Sequence, residues 1–518
     1  MQSRRLKFSA AVILVLSSAV AAAQDNVYFG NLHAHSVYSD GSGTPDEAFR
    51  AAREAGLDFM ALTEHSHKAA EGAGDTRRIH IARDNSLYNG SQASSLISAA
   101  GRHTRPGEFV AIYGQEFSTI DHGNHINVFD VPEVIDVTEV PNQHFDRLIE
   151  WTRTHPDSSG RSALLQFNHP ALANQPDEEY GRDDFPSQAA WIAAMDAQVE
   201  LIEVFNGPAM ERDGNHRSAA VQEADYYHYL NLGFHLAPSV GQDNHYRTWG
   251  TVTDARVAVI APELTKTAVL GALRARHAYA TSDRNLRLVF RAGTALQGDV
   301  VTALPALQSD LPLTLTIRDD DEPEARYRIE VFSDVPGGRP IDKDSPVNSF
   351  DREGDSTAPI TLDGVPFRQS GQYVLVRVTQ IDEDPEEQDV AWTAPIWFGG
   401  SAPTTAPAVA ASTSGLRITK LLPDPAGIDL QNERLWLRNQ SNASINLSGW
   451  TVVDLSGNEW RFTGSLAAGQ ERAFTRGGQP LSLNNDGDRL TLRRPDGSIA
   501  QTAEYGPAAA GQEIAIPQ

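Results

Sequence analysis

The sequence contains no cysteine in 518 residues. That absence excludes disulfides, thiolate zinc sites, iron–sulfur clusters and a cysteine nucleophile. Basic residues are scarce as well: 43 Lys and Arg stand against 68 Asp and Glu, a formal net charge of −25. This balance argues against broad electrostatic binding to nucleic acid or to an anionic membrane. It leaves phosphate substrates open, because bound metal ions reverse the sign of a small site. Past the N-terminus no long apolar run occurs, so no later segment is expected to span a bilayer. Histidine is missing from the last 241 residues, and all 16 lie between His33 and His277. Histidine is the commonest metal ligand and titrates near neutral pH, so the chemistry is expected in the first half.

What is present is globular in composition, with 40% hydrophobic and 8% aromatic residues. At about 150 residues per domain the length suggests roughly three domains. Arg4, Arg5 and Lys7 precede an apolar run from Ala10 to Val20, and Ala21-Ala22-Ala23 leads into Gln24-Asp25. This pattern predicts a signal peptide over residues 1–23 and an exported protein, periplasmic or extracellular. Ser3 to Phe8 loosely resembles a twin-arginine signal, which leaves the export route open.

Residues 24–285 alternate between strand and helix patterns. Thr44, Pro45 and Glu47 form a capping-box helix start, and Gly56 supplies the stop. Strands are expected at Val27 to Leu32, Phe59 to Thr63, Phe109 to Gln115, Ala163 to Phe167, Leu201 to Phe205, Leu236 to Val240 and Ala278 to Ala280. Helices are expected at about 143–154 and 217–232. A polar residue follows nearly every strand, as in a β/α barrel, where loops at the carboxyl ends build the active site; an open α/β sheet is the alternative.

Those residues are of metal-binding type. His33-x-His35 on extended chain points both imidazoles to one side. Asp40 follows within reach of a second ion, and Glu64-His65, Glu116, His169 and Asp243-x-His245 recur at later strand ends. Imidazole and carboxylate without thiolate suit Zn, Mn or Fe, and a carboxylate such as Glu116 can bridge two ions.

The strings NLHAHSVYSDG, LDFMALTEHS, GQEFS, GNHINVF, FNHP and GQDNH, in this order, resemble the PHP (polymerase and histidinol phosphatase) superfamily, in particular its secreted CehA/McbA-like group. The resemblance implies a distorted (β/α)7 barrel with two to three divalent ions. It places one ion on His33, His35, Glu116 and Asp243, a second on Glu116, His125 and His169, and a third on Asp40, His65 and His245. It implies Asp243, His245 and Glu116 as catalytic residues. The family's Asp-His is Glu64-His65 here, which leaves the role of position 64 open, and His122 competes with His125. His67, Asn206 and Arg276 are candidate substrate contacts. The expected reaction is metal-assisted hydrolysis of a phosphoester, mono- or diester, in a phosphorylated small molecule or polymer. Two alternatives are a carboxyl or carbamate ester hydrolase of CehA/McbA type and a non-catalytic metal-containing binding protein.

Residues 286–400 read as a β-rich, sandwich-like domain, with strands at Leu313 to Ile317, Tyr327 to Val331, Gln372 to Val378 and Trp392 to Trp397. The acidic runs 319–322 and 382–384 are expected to be solvated loops, with Ca²⁺ binding as the alternative. Residues 401–414 form a Pro/Ala/Thr linker. From 415 to 518, NLSGWTVVD and LSLNNDGDRLTLRRPDG resemble a lamin-tail domain, an immunoglobulin-like β-sandwich. It carries no histidine, so its expected role is to bind a cell surface or another macromolecule.

Overall fold

In chain order the first 285 residues form β1 (Asn26–Asn31), α1 (Pro45–Glu54), β2 (Phe59–His65), α2 (Ser86–Asn89), α3 (Leu96–His103), β3 (Val110–Phe117), β4 (Ile126–Phe129), α4 (Phe145–Thr154), β5 (Leu164–Phe167), α5 (Gln188–Met195), β6 (Val199–Asn206), β7 (Ala220–Val221), α6 (Glu223–Leu232), β8 (Ala237–Gly241), β9 (Arg256–Ala261), α7 (Lys266–Arg274) and β10 (Ala278–Thr281). The structure, a computed structural model, describes residues 25–66, 80–117, 124–136, 139–142, 144–170, 179–214, 220–337, 341–356, 358–382, 388–400, 415–425, 432–441, 443–454, 458–485, 488–495, 499–505 and 508–516. The signal-peptide and linker segments therefore lie outside the described residues.

Local signals produce the expected elements where they are strong. The Thr44 side chain accepts the Glu47 N–H, and the Glu47 carboxylate accepts the Thr44 N–H at 2.8 Å. Every residue of β2, β3, β5 and β8 is buried, as befits strands covered on both faces. α6 is shorter than expected, beginning at Glu223, and ends where Gly233 turns left-handed at φ 106°.

The expected (β/α)7 barrel is corrected by two antiparallel strands. β1, β2 and β3 run parallel, as do β5, β6 and β8. β4 stands between the two groups, antiparallel to both β3 and β5. The connection 118–125 is too short for the crossover of a dozen or more residues that a parallel partner needs. β9 is likewise antiparallel to β1 and β10. The described strands form no closed barrel; the order is β10-β9-β1-β2-β3-β4-β5-β6, with β8 on β6. An isolated parallel bridge, Ala34 to Asn244, still joins the segments after β1 and β8. Its hydrogen bonds run from His35 N to Asn244 O and from Asp243 N to His33 O, both 2.9 Å.

The sheet does not stop at residue 285. β10 pairs antiparallel with Asp389–Thr393, which pairs with Gln372–Ile381, which pairs with Arg326–Asp334. A second sheet, built on Arg287–Ala292 and Leu313–Arg318, closes a sandwich over it. Val27 and Phe29 of β1 enter this sandwich core, while Tyr28 packs on the other side against the core beneath the metal-ligand candidates. The strand expected over Trp392 to Trp397 is two strands, Asp389–Thr393 and Ile396–Phe398. Pro395 lies between them and offers no N–H to the ladder. In the acidic run after Leu313–Arg318, Asp319 is buried instead of solvated, and its Oδ1 accepts the N–H groups of Asp321 (3.0 Å) and Glu322 (3.1 Å). Glu383 and Asp384 of the second run lie outside the described residues.

The C-terminal residues enclose a core of their own. Leu416–Leu422, Arg434–Asn439 and Glu471–Thr475 form one sheet. Thr451–Val453, Glu459–Arg461, Asp488–Arg493 and Ile499–Tyr505 form another. Leu437, Trp450, Trp460 and Leu490 fill the space between them. The turn at Leu447 to Trp450 is set by Gly449 at φ 80°, with Trp450 N donating to Leu447 O. In the second turn, Asp486 and Gly487 lie outside the described residues. Among the described residues no helix is long and apolar enough to cross a membrane.

Candidate metal centre

Asn31, the last residue of β1, locks two ligand-bearing segments together. Its Oδ1 accepts the N–H groups of His33 (3.2 Å) and Gln242 (3.0 Å), and its amide donates to His33 O (3.0 Å). The His33 and His35 rings then converge, with 3.3 Å between their Nε2 atoms. β2 and β3 end in register, so His65 and Glu116 are cross-strand partners. Asp243 and His169 both adopt positive φ, 49° and 28°, a costly backbone region for residues with a Cβ.

Glu116 is the hub. Its Oε1 lies 2.8 Å from His125 Nδ1, 3.2 Å from His33 Nε2, 3.2 Å from His169 Nε2 and 3.0 Å from the Asn168 amide. Its Oε2 lies 3.2 Å from His65 Nδ1 and 3.3 Å from His35 Nε2. Asp243 Oδ1 is 3.1 Å from His35 Nε2 and 3.2 Å from His33 Nε2. Asp40 faces His245 Nε2 at 3.2 Å and His65 Nε2 at 3.6 Å. Three sets of ligand atoms result, each close enough to surround one ion: His33, His35, Glu116 and Asp243; Glu116, His125 and His169; and His35, Asp40, His65 and His245. The third set gains His35 over the set expected from the sequence. His33, His35 and Glu116 are sealed from solvent, while the side chains of Asp40, His169 and Asp243 are 15–17% exposed and form the open rim.

Without metal the cluster is a network of buried charge. Burial opposes a proton on His33, but Glu116, Asp243 and Glu203 outweigh it and hold the imidazolium well above its ordinary range. Against the same burial, Asp243 and Glu116 raise His35 to about 10. His65 goes the other way, pushed down to about 3 chiefly by burial. Burial raises Glu116 and Asp243, yet the surrounding imidazoles pull both well below the carboxylate range.

Two buried atoms test whether ions fit. Glu116 Oε2 and Asp40 Oδ1 accept no hydrogen bond, although imidazole nitrogens stand 3.2 Å from each. A buried carboxylate oxygen close to imidazole nitrogens but not hydrogen-bonded to them is placed to face a shared cation, although other ligand atoms of the cluster do hydrogen-bond one another. Ring tautomers agree. His245 Nδ1 lies 2.7 Å from its acceptor, Asp243 O, and so carries the proton, which leaves Nε2 as the lone-pair atom aimed at Asp40. The set fits Zn, Mn or Fe by donor type.

The C-terminal unit has a match to a known family. Residues 409–507 match the Lamin Tail Domain family model. No curated protein matches the chain. Among solved structures, a two-domain protein from Bacteroides vulgatus, described as containing a predicted PHP-like metal-dependent phosphoesterase, is 16% identical over 72% of this chain and 94% of its own, with a TM-score of 0.38. An amidohydrolase from Chromobacterium violaceum is 15% identical over 43% and 89%, TM-score 0.25. A proposed metal-dependent phosphoesterase from Bifidobacterium adolescentis is 12% identical over 42% and 87%, TM-score 0.23. At such TM-scores these likenesses carry no argument, and the reading of the metal centre rests on its own side chains. The lamin-tail domain contributes none of them.

Other expected residues divide. Glu64 belongs to none of the three sets; it is buried and accepts the N–H and hydroxyl of Ser36 and the hydroxyl of Ser39, bracing the loop that carries Asp40. Asn206 turns away from the rim and donates to Glu203 at 2.7 Å. Arg276 is not brought to the cluster. It precedes β10, at the opposite strand end, buried beside Glu200 and 5.8 Å from the Trp397 ring. His67 and His122 lie outside the described residues. His103, His228, His235 and His277 each pair with a single carboxylate elsewhere.

Sequence reasoning missed two residues. Glu203 interrupts the buried run of β6, and a carboxylate inside an apolar strand is itself a cue, since such groups are buried only when paired. Arg212 is exposed and stacks on Tyr246, 4.6 Å from its ring centre and next to His245. No spacing signal pointed to it.

Proposed function

We propose that this chain is an exported metal-dependent hydrolase, most specifically a phosphoesterase, with two to three Zn, Mn or Fe ions held by His33, His35, Asp40, His65, Glu116, His125, His169, Asp243 and His245. The observation that carries the reading is Glu116, a buried carboxylate shared by two of three ligand sets. In this reading residues 24–285 hold the chemistry, residues 286–400 extend the sheet that supports it, and the lamin-tail domain positions the enzyme on a surface or macromolecule.

When bound, such ions supply an activated water near neutral pH and charge stabilisation on the reacting oxygens. The chain's own residues do the rest. Glu116 and the sealed His33–His35 pair fix the spacing of the ligand sets from below. Asp243 stands at the rim with the buried His245 linked to it through the Asp243 carbonyl, so the carboxylate and the imidazole are oriented as one unit. Arg212, stacked on Tyr246, the chain neighbour of His245, is the candidate guanidinium donor to an anionic group. Several cations at a rim would favour a substrate that is negatively charged before it reacts. A phosphoester meets that condition and a neutral ester does not.

The test is a substrate panel on metal-reconstituted full-length protein. Aryl phosphates are expected to be hydrolysed, with inhibition by free phosphate. Neutral aryl esters or carbamates cleaved at least about tenfold faster than every phosphate, a barrier difference of roughly 1.4 kcal/mol, would replace the phosphoesterase reading with an esterase one.

A further inference from the structure

We propose that Glu203 is a positioning residue that ties two ion subsites together, holding the His33 ring of one and the His169 backbone of the other with a single carboxylate. This rests on the metal-centre reading above and adds a residue to it. Glu203 lies in the middle of β6 and is fully buried. Its Oε1 accepts from His33 Nδ1 at 2.8 Å and from the Gln166 amide at 3.1 Å. Its Oε2 accepts the His169 N–H at 2.6 Å and the Asn206 amide at 2.7 Å. Four donors around one carboxylate fix both of its oxygens.

Each contact has a consequence at the cluster. A proton on His33 Nδ1, donated to Glu203, leaves Nε2 as the lone-pair atom turned toward Glu116 and Asp243. The His169 N–H is held while that residue keeps φ at 28°, the backbone turn that brings its Nε2 to 3.2 Å from Glu116. His33 belongs to one ligand set and His169 to another. Neither contact reaches the side chains of Asp40, His65 and His245, so the third set is an internal control.

Gly241 marks the same spot independently. A Cβ added there would lie 1.8 Å from Glu203 Oε1 and 3.0 Å from the His33 Cβ. Gly241 does not have a positive φ, so alanine is excluded by this crowding and not by the backbone. Gly241→Ala therefore displaces the carboxylate without altering any polar group.

The experiment compares full-length wild type with Glu203→Gln, Gly241→Ala and Asn206→Ala, the last at a half-buried strand end where refolding risk is smallest. Circular dichroism checks folding, and Co²⁺ or Zn²⁺ binding is followed by elemental analysis and titration. In Glu203→Gln, the single amide oxygen can accept from only one pair of the four donors, and the new NH2 group faces the other pair. The expected result is that two ions bind about 10- to 100-fold more weakly, while the ion at Asp40, His65 and His245 keeps wild-type affinity. Gly241→Ala should reproduce this pattern, and Asn206→Ala should show it in weaker form. A full complement at wild-type affinity in any folded member overturns the proposal. A uniform weakening of all ions also overturns it, because a merely structural role predicts that result. If the wild type itself binds no ion, the metal-centre reading fails first.

Discussion

Replacing Glu116 by Gln should empty two of the three ligand sets and spare the third. The exchange keeps the shape of the side chain and removes one charge and one acceptor oxygen. Six contacts depend on that carboxylate: four donors around Oε1 and two imidazoles around Oε2. All of them are buried, so solvent does not replace what is lost. Removing one partner from a buried charged pair costs about 3–5 kcal/mol. At about 1.4 kcal/mol per tenfold, that is a loss of roughly two to three and a half decades of affinity at each set that uses Glu116. Asp40, His65 and His245, with His35, do not use it as a ligand. Dialysis against a fixed free concentration of Zn²⁺ or Mn²⁺, followed by elemental analysis, should give one ion per chain in Glu116→Gln where the wild type gives two to three. The metal-free proteins provide a second readout. Because His35 is raised to about 10, its contribution to stability is complete below pH 6.5 and is lost as pH rises toward 10. Glu116→Gln should flatten that decline, read as Tm against pH. A folded variant with the full complement of ions would refute the bridging role.

Other expectations follow from the same geometry. Burial raises Glu200 to about 8 against the pull of Arg274 and Arg276. The folded protein therefore keeps a proton that the unfolded chain has lost, and stability falls as pH rises from about 4.5 to 8, by at most ~5 kcal/mol. Glu200→Gln should remove that slope and be the more stable protein at pH 8 in thermal melts. A chain ending at Gly400 should retain turnover on a small soluble substrate, since the C-terminal core encloses only residues from 416 onward; a loss of about tenfold in kcat would count against it. A chain ending at 285 should fail to give soluble protein. It lacks the strand partner of β10 and removes Tyr373, Trp392 and Trp397 from the core beneath the metal centre. Arg212→Ala should raise KM for an aryl phosphate about tenfold or more, the worth of a hydrogen bond to a charged group, with kcat little changed. A change in kcat alone would place Arg212 outside substrate binding.

The strand ends that carry His33, His65, Glu116, His169 and Asp243 were legible because each pairs a local signal, a buried strand, with a residue that has no packing reason to follow it. The capping box at Thr44 was legible for the same reason, since its two hydrogen bonds lie within four residues. β4 was not among the expected strands, and its direction follows only from the 118–125 connection, which is too short for a parallel crossover. The fusion of 286–400 to the sheet was equally hidden, because the pairing of Tyr279 with Thr393 spans more than a hundred residues and leaves no periodic trace. Arg276 was misplaced for a related reason. It precedes β10, and a residue before a strand belongs to the end away from the ligands. Glu203 carries no strand-end signal, since it sits in the middle of β6, where only a carboxylate within a buried strand marks it. The Asp319 loop shows the limit of composition, since four acidic residues in a row read as solvated whether or not the first of them caps a turn inside the fold.

The side chains grouped around Glu116 are proposed to hold ions that drive hydrolysis. The most direct measurement is a single titration of metal-free full-length protein with Mn²⁺ or Zn²⁺, recording bound ions per chain and aryl-phosphate turnover on the same samples. If that proposal holds, metal-free protein shows no turnover, activity rises only as the second or third ion binds, and His169→Ala and Asp243→Ala abolish it. Turnover in fully metal-free protein, or saturation at a single ion with full activity, would contradict it.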